Sequence, residues 1–180
     1  MLETFSGLVR RVVRALNRSR LQYMLTGALA SSYYGRPRTT LDIDVVVAFR
    51  QKDVATLVRV LTKANLKVQE KKLLDAWQSE HRIATVEDKK SPHTLDILFT
   101  DQKLERNSGR ILGVPTYYQS AESLILAKLR RLKVTLRAER AATDREDIKA
   151  ILETIQISMK TLRRRARAES TVKILDDLIA

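Results

Sequence analysis

Cysteine is absent from this 180-residue chain, which excludes disulfide bonds and thiolate metal sites and leaves the redox compartment open. Long apolar runs are also absent, because no stretch reaches the roughly 18 residues that a membrane-spanning helix needs. The apolar pattern near the N-terminus contains Arg10, Arg11 and Arg14, and such charges argue against a signal peptide. The sequence therefore predicts a cytoplasmic protein with no membrane contact.

Aromatic residues are scarce at 5% of the chain, whereas basic residues are in excess and give a formal net charge of +13. The excess is spread along the chain rather than confined to one tail. A basic surface favours polyanionic partners, nucleic acid above all. The scarcity of aromatic residues predicts binding through phosphates rather than through base stacking. A basic protein without a nucleic-acid partner is the alternative.

An acidic pair interrupts the most strand-like segment of the chain, residues 41–47. On a strand, Asp42 and Asp44 point to the same face, so their carboxylates lie close together and repel unless one is protonated or a cation binds between them. Mg²⁺ prefers carboxylate oxygens, so the segment predicts a magnesium site. An exposed edge strand is the alternative, which the run from Val45 to Val47 disfavours because consecutive valines predict burial on both faces.

A third acid lies in a second strand pattern, residues 93–99. Asp96 is flanked there by Leu95 and Ile97, and an acid among apolar residues is costly unless it has a partner. A shared metal with Asp42 and Asp44 would supply that partner. The alternative is that Asp96 lies on the solvated face of a half-exposed strand.

Gly27 follows an apolar run and precedes a stretch of small residues, a pattern that predicts a strand, a tight turn and a helix. Glycine permits such a turn and lets a phosphate approach the backbone, and the N-terminus of the helix attracts anions. Gly35 and Pro37 then end the helix.

Apolar periodicity predicts helices elsewhere in the chain. They cover 3–18, 51–64, 120–140, a segment from 143 onward, and 158–180, and Leu136 lies on the apolar stripe of the third. Lys128 falls on an apolar face, where it must pair or extend its charge to solvent. Thr143 and Glu146 fit a capping box at a helix start, with Asp144 on the inner face. Residues 101–110 read as a polar loop with a turn at Ser108 and Gly109.

Gly27 followed by Gly35-x-x-Arg38-x-Thr40-x-Asp42-Ile-Asp44 resembles the nucleotidyltransferase superfamily that includes DNA polymerase β. Within it, the chain is most similar to the AbiEii-like (MenT-like) toxin nucleotidyltransferases and their relatives, over residues 21–152. The superfamily has Ser or Gly directly after the first glycine. This chain has Ala28 there, which leaves that phosphate contact to Thr26 or to the backbone.

The resemblance implies an α+β fold, with a nucleotidyltransferase-fold mixed sheet core and flanking helices over residues 1–118 and a C-terminal helical region over residues 119–180. It implies transfer of a nucleoside monophosphate from an NTP, such as ATP, to a hydroxyl of RNA, with the tRNA 3′ end as one acceptor. It further implies the toxin of a toxin–antitoxin pair, with a cognate antitoxin as partner. A small-molecule nucleotidyltransferase and a non-catalytic nucleic-acid-binding module on the same fold are the alternatives.

The resemblance also implies site residues. Two Mg²⁺, or Mn²⁺ in their place, would be held by Asp42, Asp44 and Asp96, with Asp96 also acting as base. Lys128 and Asp144 complete the catalytic set, and Asp147 is the alternative to Asp144. The implied nucleotide-binding residues are Thr26, Gly27, Ala28, Arg38, Thr40 and Lys128. Apart from the resemblance, the charge excess before residue 40, from Arg10 to Arg38 against Glu3 alone, predicts that these arginines steer an RNA backbone toward this site.

Overall fold

The structure, a computed structural model, describes residues 4–180. The strands in this range are β1 (Tyr23–Leu25), β2 (Asp42–Ala48), β3 (Ile83–Glu87), β4 (Thr94–Thr100), β5 (Arg106–Ile111) and β6 (Val114–Gln119). The α-helices are α1 (Phe5–Asn17), α2 (Gly27–Tyr34), α3 (Val54–Lys63), α4 (Glu70–Gln78), α5 (Ala121–Val134), α6 (Ala138–Thr154), α7 (Met159–Ala168) and α8 (Val172–Ile179). A 3₁₀ turn at Gln51–Asp53 leads into α3.

The chain packs into two compact units, each with its own buried residues. The core unit comprises Met1–Leu29 and Thr39–Gln119, and it contains the whole sheet. The helical unit comprises Ala30–Arg38 and Ser120–Ala180, and it contains α5 to α8. Helix α2 starts in the core unit and ends in the helical unit. No helix within residues 4–180 is both long and apolar enough to cross a membrane.

The sheet is mixed, with the strand order β3-β4-β2-β1-β6-β5. Strand β2 pairs in parallel with β4 and antiparallel with β1, so it is an interior strand. The prediction of an α+β fold with a mixed sheet is confirmed. The edge-strand interpretation of the acidic pair is wrong, because β2 has a hydrogen-bonded neighbour on each side.

The two faces of β2 differ in burial. Ile43, Val45 and Val47 are at most 1% exposed, whereas Asp42 and Asp44 are half-buried on the other face. The expected burial on both faces is therefore wrong. Strand β4 alternates in the same way, and its register with β2 makes the buried face continuous across both strands.

Helices of the core unit cover the buried face. Phe99 of β4 packs on Trp77 of α4 with ring centroids 6.2 Å apart. Tyr23, the register partner of Val47, donates a hydrogen bond from its hydroxyl to Asn17 Oδ1 at the end of α1, over 2.7 Å. Helices α1 and α4 thus lie on the valine face, and the acidic side chains of β2 point to the opposite face.

Two segments differ from their predicted structure. The predicted loop over 101–110 contains a strand, and the predicted single helix over 120–140 is two helices. Residues 106–111 form β5, and its hairpin with β6 turns at Leu112 and Gly113, which have φ of 48° and 81°. The loop prediction failed because β5 is polar, and its strand character comes from pairing with β6. Residues 120–140 form two helices, since α5 ends at Val134 and α6 begins at Ala138.

The break between α5 and α6 changes the environment of Thr143. This residue lies inside α6, and its hydroxyl donates to the carbonyl of Glu139 over 3.0 Å. The predicted capping box is wrong, since the same Thr-x-x-Glu spacing also fits a helix interior. Leu136, which the periodicity assigned to an apolar stripe, is fully exposed between the two helices. The predicted helix over 158–180 is likewise divided into α7 and α8.

Candidate active site

Three acidic residues lie on one face of the sheet in the core unit. Asp44 of β2 and Asp96 of β4 are register partners, and hydrogen-bonded strands lie about 4.8 Å apart. Asp42 is two residues before Asp44 on the same strand, so it faces the same side. The fold thus places all three predicted metal ligands as neighbours on the half-exposed face of the sheet.

The carboxylates already have partners on this face. Asp96 Oδ1 accepts a hydrogen bond from the Thr85 hydroxyl over 2.7 Å. The Thr40 hydroxyl donates to the carbonyl of Asp42 over 3.2 Å and lies 3.4 Å from Oδ1 of the same residue. In these conformations, no group of three or more His, Cys, Asp or Glu side chains within residues 4–180 could hold a metal ion. A shared cation would therefore require the carboxylates to turn toward one another.

Gly27 lies directly against the acidic face. Its φ is 57°, a conformation that favours glycine. The preceding Thr26 donates its backbone N–H to the carbonyl of Asp44 over 3.0 Å. A Cβ added to Gly27 would lie 2.0 Å from Asp44 Oδ2. The glycine is therefore required for the close approach of the Asp44 carboxylate to the first residue of α2, where the helix dipole favours a negative charge.

Gly27→Ala is expected to displace the Asp44 carboxylate and to reduce the nucleotide transfer that the motif resemblance implies at least about tenfold, which corresponds to roughly 1.4 kcal/mol. The positive φ should also cost about 1–2 kcal/mol of stability. Gly113→Ala is the matched control, since Gly113 also has a positive φ but an added Cβ there would have no heavy atom within 4 Å. Steady-state rates and thermal melts would separate the two effects. Equal activity in the two variants would show that the contact with Asp44 is not required.

The predicted nucleotide-binding residues have different environments. Thr26 is 8% exposed, and its hydroxyl donates to Gln119 Oε1 over 2.5 Å, so this proton already has an acceptor. Ala28 is buried at 3% exposure. Thr40 is half-buried beside Asp42, and Arg38 belongs to the helical unit. The structure thus places Gly27 and Thr40 at the acidic face of the core unit.

A buried cluster of charges lies in the helical unit, between α5 and α6. The Lys128 side chain is 1% exposed, and its ammonium lies 3.1 Å from Asp144 Oδ1 and 2.7 Å from Asp147 Oδ2. Arg131 donates to both oxygens of Asp144, over 2.8 Å and 2.5 Å. Arg38 adds a longer ion pair of 3.6 Å with Asp147 Oδ2. Of the two outcomes expected for Lys128, the structure has the paired one.

The cluster explains why two acids are tolerated on the inner face of α6. Burial raises the pKa of the Asp144 carboxyl, but the Arg131 hydrogen bond and the Lys128 charge more than offset this and hold its pKa below the ordinary range. Both carboxylates bind the same ammonium, and the catalytic role expected of Asp144, with Asp147 as its alternative, is still an expectation. A contact of Lys128 with nucleotide stays a prediction.

The lowered pKa of Asp144 predicts a pH dependence of stability. Its carboxylate stabilises the fold above the unfolded pKa of about 3.9, and this stabilisation is lost as the pH falls through the lower folded value. The free energy of unfolding of the parent should therefore fall below about pH 4, and Asp144→Asn should flatten that slope. Denaturant unfolding between pH 2 and pH 6 would measure it. Asp177→Asn, which removes an exposed acidic group of the same unit, is the control, and equal slopes for Asp144→Asn and the parent would contradict the prediction.

Sequence reasoning missed Arg131, Gln119 and Thr85. Arg131 follows Lys128 by three residues on α5, which places the two side chains on the same side of a helix, so its spacing could have identified it. Thr85 and Gln119 come from strands whose register with the neighbouring strand cannot be read from composition. Their partners, Asp96 and Thr26, were identified from the sequence.

No protein-family model matches this chain, and no curated protein matches it. Three solved structures with similar folds are ANT(2'')-Ia, LnuA and a viral polyadenylate synthase. ANT(2'')-Ia in complex with adenylyl-2''-tobramycin is 16% identical over 93% of this chain and 99% of its own, with a TM-score of 0.68. The lincosamide antibiotic adenylyltransferase LnuA, with lincomycin bound, is 14% identical over 86% of this chain and 100% of its own, with a TM-score of 0.56.

The third structure is the Megavirus polyadenylate synthase. It is 12% identical over 85% of this chain and 33% of its own, with a TM-score of 0.50. At these identities the likeness establishes the fold alone. The chain has the fold of nucleotidyltransferases, as the motif around Gly27, Asp42 and Asp44 implied.

Proposed function

We propose that the protein transfers a nucleoside monophosphate from an NTP to a hydroxyl acceptor and releases pyrophosphate. The observation that carries this proposal is the position of three carboxylates on one sheet face, with Asp44 and Asp96 in register and Gly27 against Asp44. Separate strands contribute these residues, and helix α2 begins at the same point. An Asp44 carboxylate that was merely solvated would not need to lie against the start of α2, where only a glycine leaves room for it.

Asp42, Asp44 and Asp96 would hold divalent cations, Mg²⁺ first and Mn²⁺ as the alternative. The donor set fits, because hard cations prefer carboxylate oxygens, and the absent side chain at Gly27 leaves room for the Asp44 carboxylate. Bound cations would supply charge stabilisation at the triphosphate and would lower the pKa of the acceptor hydroxyl. Turning of the Asp96 carboxylate away from the Thr85 hydroxyl is part of this proposal.

In the proposed reaction the acceptor oxygen forms a bond to the α-phosphorus of the NTP. The bond from that phosphorus to the oxygen bridging to the β-phosphate breaks, and pyrophosphate leaves with the bonding electrons. Asp96 takes the proton of the acceptor hydroxyl, and the Thr85 hydroxyl holds one Asp96 oxygen before reaction. Helix α2 begins at Gly27, and its first N–H groups donate hydrogen bonds to the triphosphate.

RNA is the proposed acceptor class. The net charge of +13 supports a polyanionic acceptor over a neutral one. The motif resemblance to the toxin-like group supports the finer proposal of a tRNA 3′ end, ATP as one donor, a cytoplasmic location and a cognate antitoxin. The second candidate is a small-molecule acceptor. It is favoured by the two similar structures whose names describe antibiotic adenylylation and which align over nearly their whole length.

The acceptor class can be tested in one experiment. The protein would be incubated with Mg²⁺ and each α-labelled NTP in turn, with total RNA, tobramycin or lincomycin as acceptor. We expect label in RNA and none in the antibiotics. Label in an antibiotic alone would favour the second candidate, and the absence of label in every acceptor, with the fold intact, would favour a non-catalytic nucleic-acid-binding module.

A further inference from the structure

A cleft lined by cations lies between α1 and α3 in the core unit, with a volume of about 560 Å³. Ten residues line it, among them Arg11, Arg14, Arg18, Arg20, Arg59 and Lys63. Six of the ten are basic, and none of these lining residues is acidic. A cleft of one charge sign focuses the electrostatic field and concentrates counter-ions.

The cations form two facing rows. On α1 and its C-cap, Arg11, Arg14 and Arg18 follow one another at spacings of three and four residues, which puts them on one side of the helix over about 10 Å of its axis. On α3, Arg59 and Lys63 are separated by one turn, about 6 Å. Charges spread along two helices, rather than converging on one point, suit a chain of phosphates better than a single small anion.

Most of these cations have no role inside the protein. Arg11 is the exception, since it pairs with Asp88 Oδ1 over 2.9 Å and donates to the Ala64 carbonyl. The other five side chains have no hydrogen bond or ion pair with any part of the chain that the structure describes. Those five residues are exposed: Arg14, Arg18, Arg20, Arg59 and Lys63. Like charges gathered without internal partners destabilise a surface, so an external anion would relieve their repulsion.

The cleft and the acidic residues are on opposite sides of the sheet. Helix α1 covers the face of Val47, as the hydrogen bond from Tyr23 to Asn17 shows, whereas Asp44 points to the other face. The arginines of α1 therefore do not line the acidic face toward which they were expected to steer RNA. The position of these arginines is explained if the cleft is an anion-binding site separate from the acidic face.

We infer that the cleft between α1 and α3 binds the phosphate backbone of RNA, independently of base sequence and at a distance from the site of nucleotide transfer. The choice of RNA over another polyanion rests on the proposed function. Sequence independence follows from the lining, which contains cations and short side chains but no aromatic residue on which a base could stack. The body of an RNA acceptor would be held here while its hydroxyl end reaches the opposite face.

The test is RNA binding by Arg14→Gln/Arg59→Gln, a double variant that removes one cation from each row. Fluorescence anisotropy with 20-nucleotide labelled RNA, without NTP or divalent cation, should show Kd raised about tenfold. The slope of log Kd against log salt should fall by about 1.4, since single-stranded RNA contributes about 0.7 for each phosphate neutralised. Oligo(U) and oligo(A) should bind the parent within about threefold of each other.

Lys71→Gln/Lys72→Gln is the matched control, because it removes two exposed charges from α4 of the same unit. It should change Kd less than about twofold, and circular dichroism should show all variants folded. Equal Kd values for the two double variants would overturn the inference. Stronger loss of binding to phosphatidylserine vesicles than to RNA in the cleft variant would also overturn it, in favour of a membrane surface.

Failure of this inference is distinguishable from failure of the proposed function. Binding is measured without NTP or divalent cation, so a protein with no transfer activity still gives a readout. Suppose that the protein transfers nucleotide to RNA but that both double variants bind RNA equally well. The proposed function would then stand, and RNA binding by the cleft would be refuted.

Discussion

Asp44→Asn is expected to reduce nucleotide transfer at least about a thousandfold and to leave the fold intact. The change removes a full negative charge from the centre of the acidic face, between Asp42 on its own strand and Asp96 on the neighbouring strand. Loss of several kcal/mol of cation-mediated charge stabilisation corresponds to about three powers of ten in rate. Asn keeps the shape of the side chain, and repulsion among the acids falls, so the melting temperature should hold or rise.

The control for Asp44→Asn is Asp75→Asn, since Asp75 is an exposed acid on α4 of the same unit. It should retain the parent rate. Initial rates with labelled NTP over a range of Mg²⁺ concentrations would compare the variants. A rate for Asp44→Asn within about tenfold of the parent would remove Asp44 from the catalytic set. A lower melting temperature would instead assign Asp44 a role in folding.

Lys128→Met is expected to destabilise the helical unit by about 3–5 kcal/mol, because it leaves two buried carboxylates without their shared cation. Lys128 is 1% exposed and lies within 3.1 Å of Asp144 and 2.7 Å of Asp147. Met keeps most of the apolar volume, so the loss would come from the charge. At about 2–4 °C for each kcal/mol, the melting temperature should fall by roughly 10 °C. Circular dichroism melts would measure the shift.

Two further variants separate the charge effect from packing. Lys133→Met removes an exposed lysine from the same helix, and it should leave the melting temperature within about 1–2 °C of the parent. Lys128→Met/Asp147→Asn removes one carboxylate together with the ammonium, while Arg131 still pairs with Asp144. The double variant should therefore be more stable than Lys128→Met alone. An unchanged melting temperature for Lys128→Met would contradict the buried cluster.

Local patterns predicted the elements that have a clear apolar period. The amphipathic helix over 3–18 is present as α1 (Phe5–Asn17), and the strand around the acidic pair is β2 (Asp42–Ala48). The helix start at Gly27 is also confirmed. In each case the signal lies within a few residues, because hydrophobic spacing or glycine chemistry decides the backbone.

Features set by distant residues escaped prediction. Strand β5 has a polar sequence, and its pairing with β6 stabilises it. Residues 120–140 are divided into α5 and α6, and Leu136, which periodicity alone assigned to an apolar stripe, is exposed between them. The proximity of Asp96 to the acidic pair was an expectation from chemistry, whereas the register of Asp44 with Asp96 was not predicted and comes from the pairing of β2 with β4.

The charged residues show the same limit. Lys128 was recognised as having to pair or to extend its charge to solvent, but the sequence did not show that Asp144 and Asp147 both pair with it. The arginines of α1 were recognised as a basic face. Their position opposite the acidic residues depends on which side of the sheet α1 covers, which the sequence leaves undetermined.

The most direct test of the central claim compares the fate of the α- and γ-phosphates of an NTP. The protein, Mg²⁺ and total RNA would be incubated with α-labelled NTP and, in parallel, with γ-labelled NTP. Our account predicts α-label in the RNA, γ-label only in pyrophosphate, and one pyrophosphate released for each nucleotide added. Transfer of γ-label to the acceptor, or no transfer of either label by folded protein that binds RNA, would contradict it.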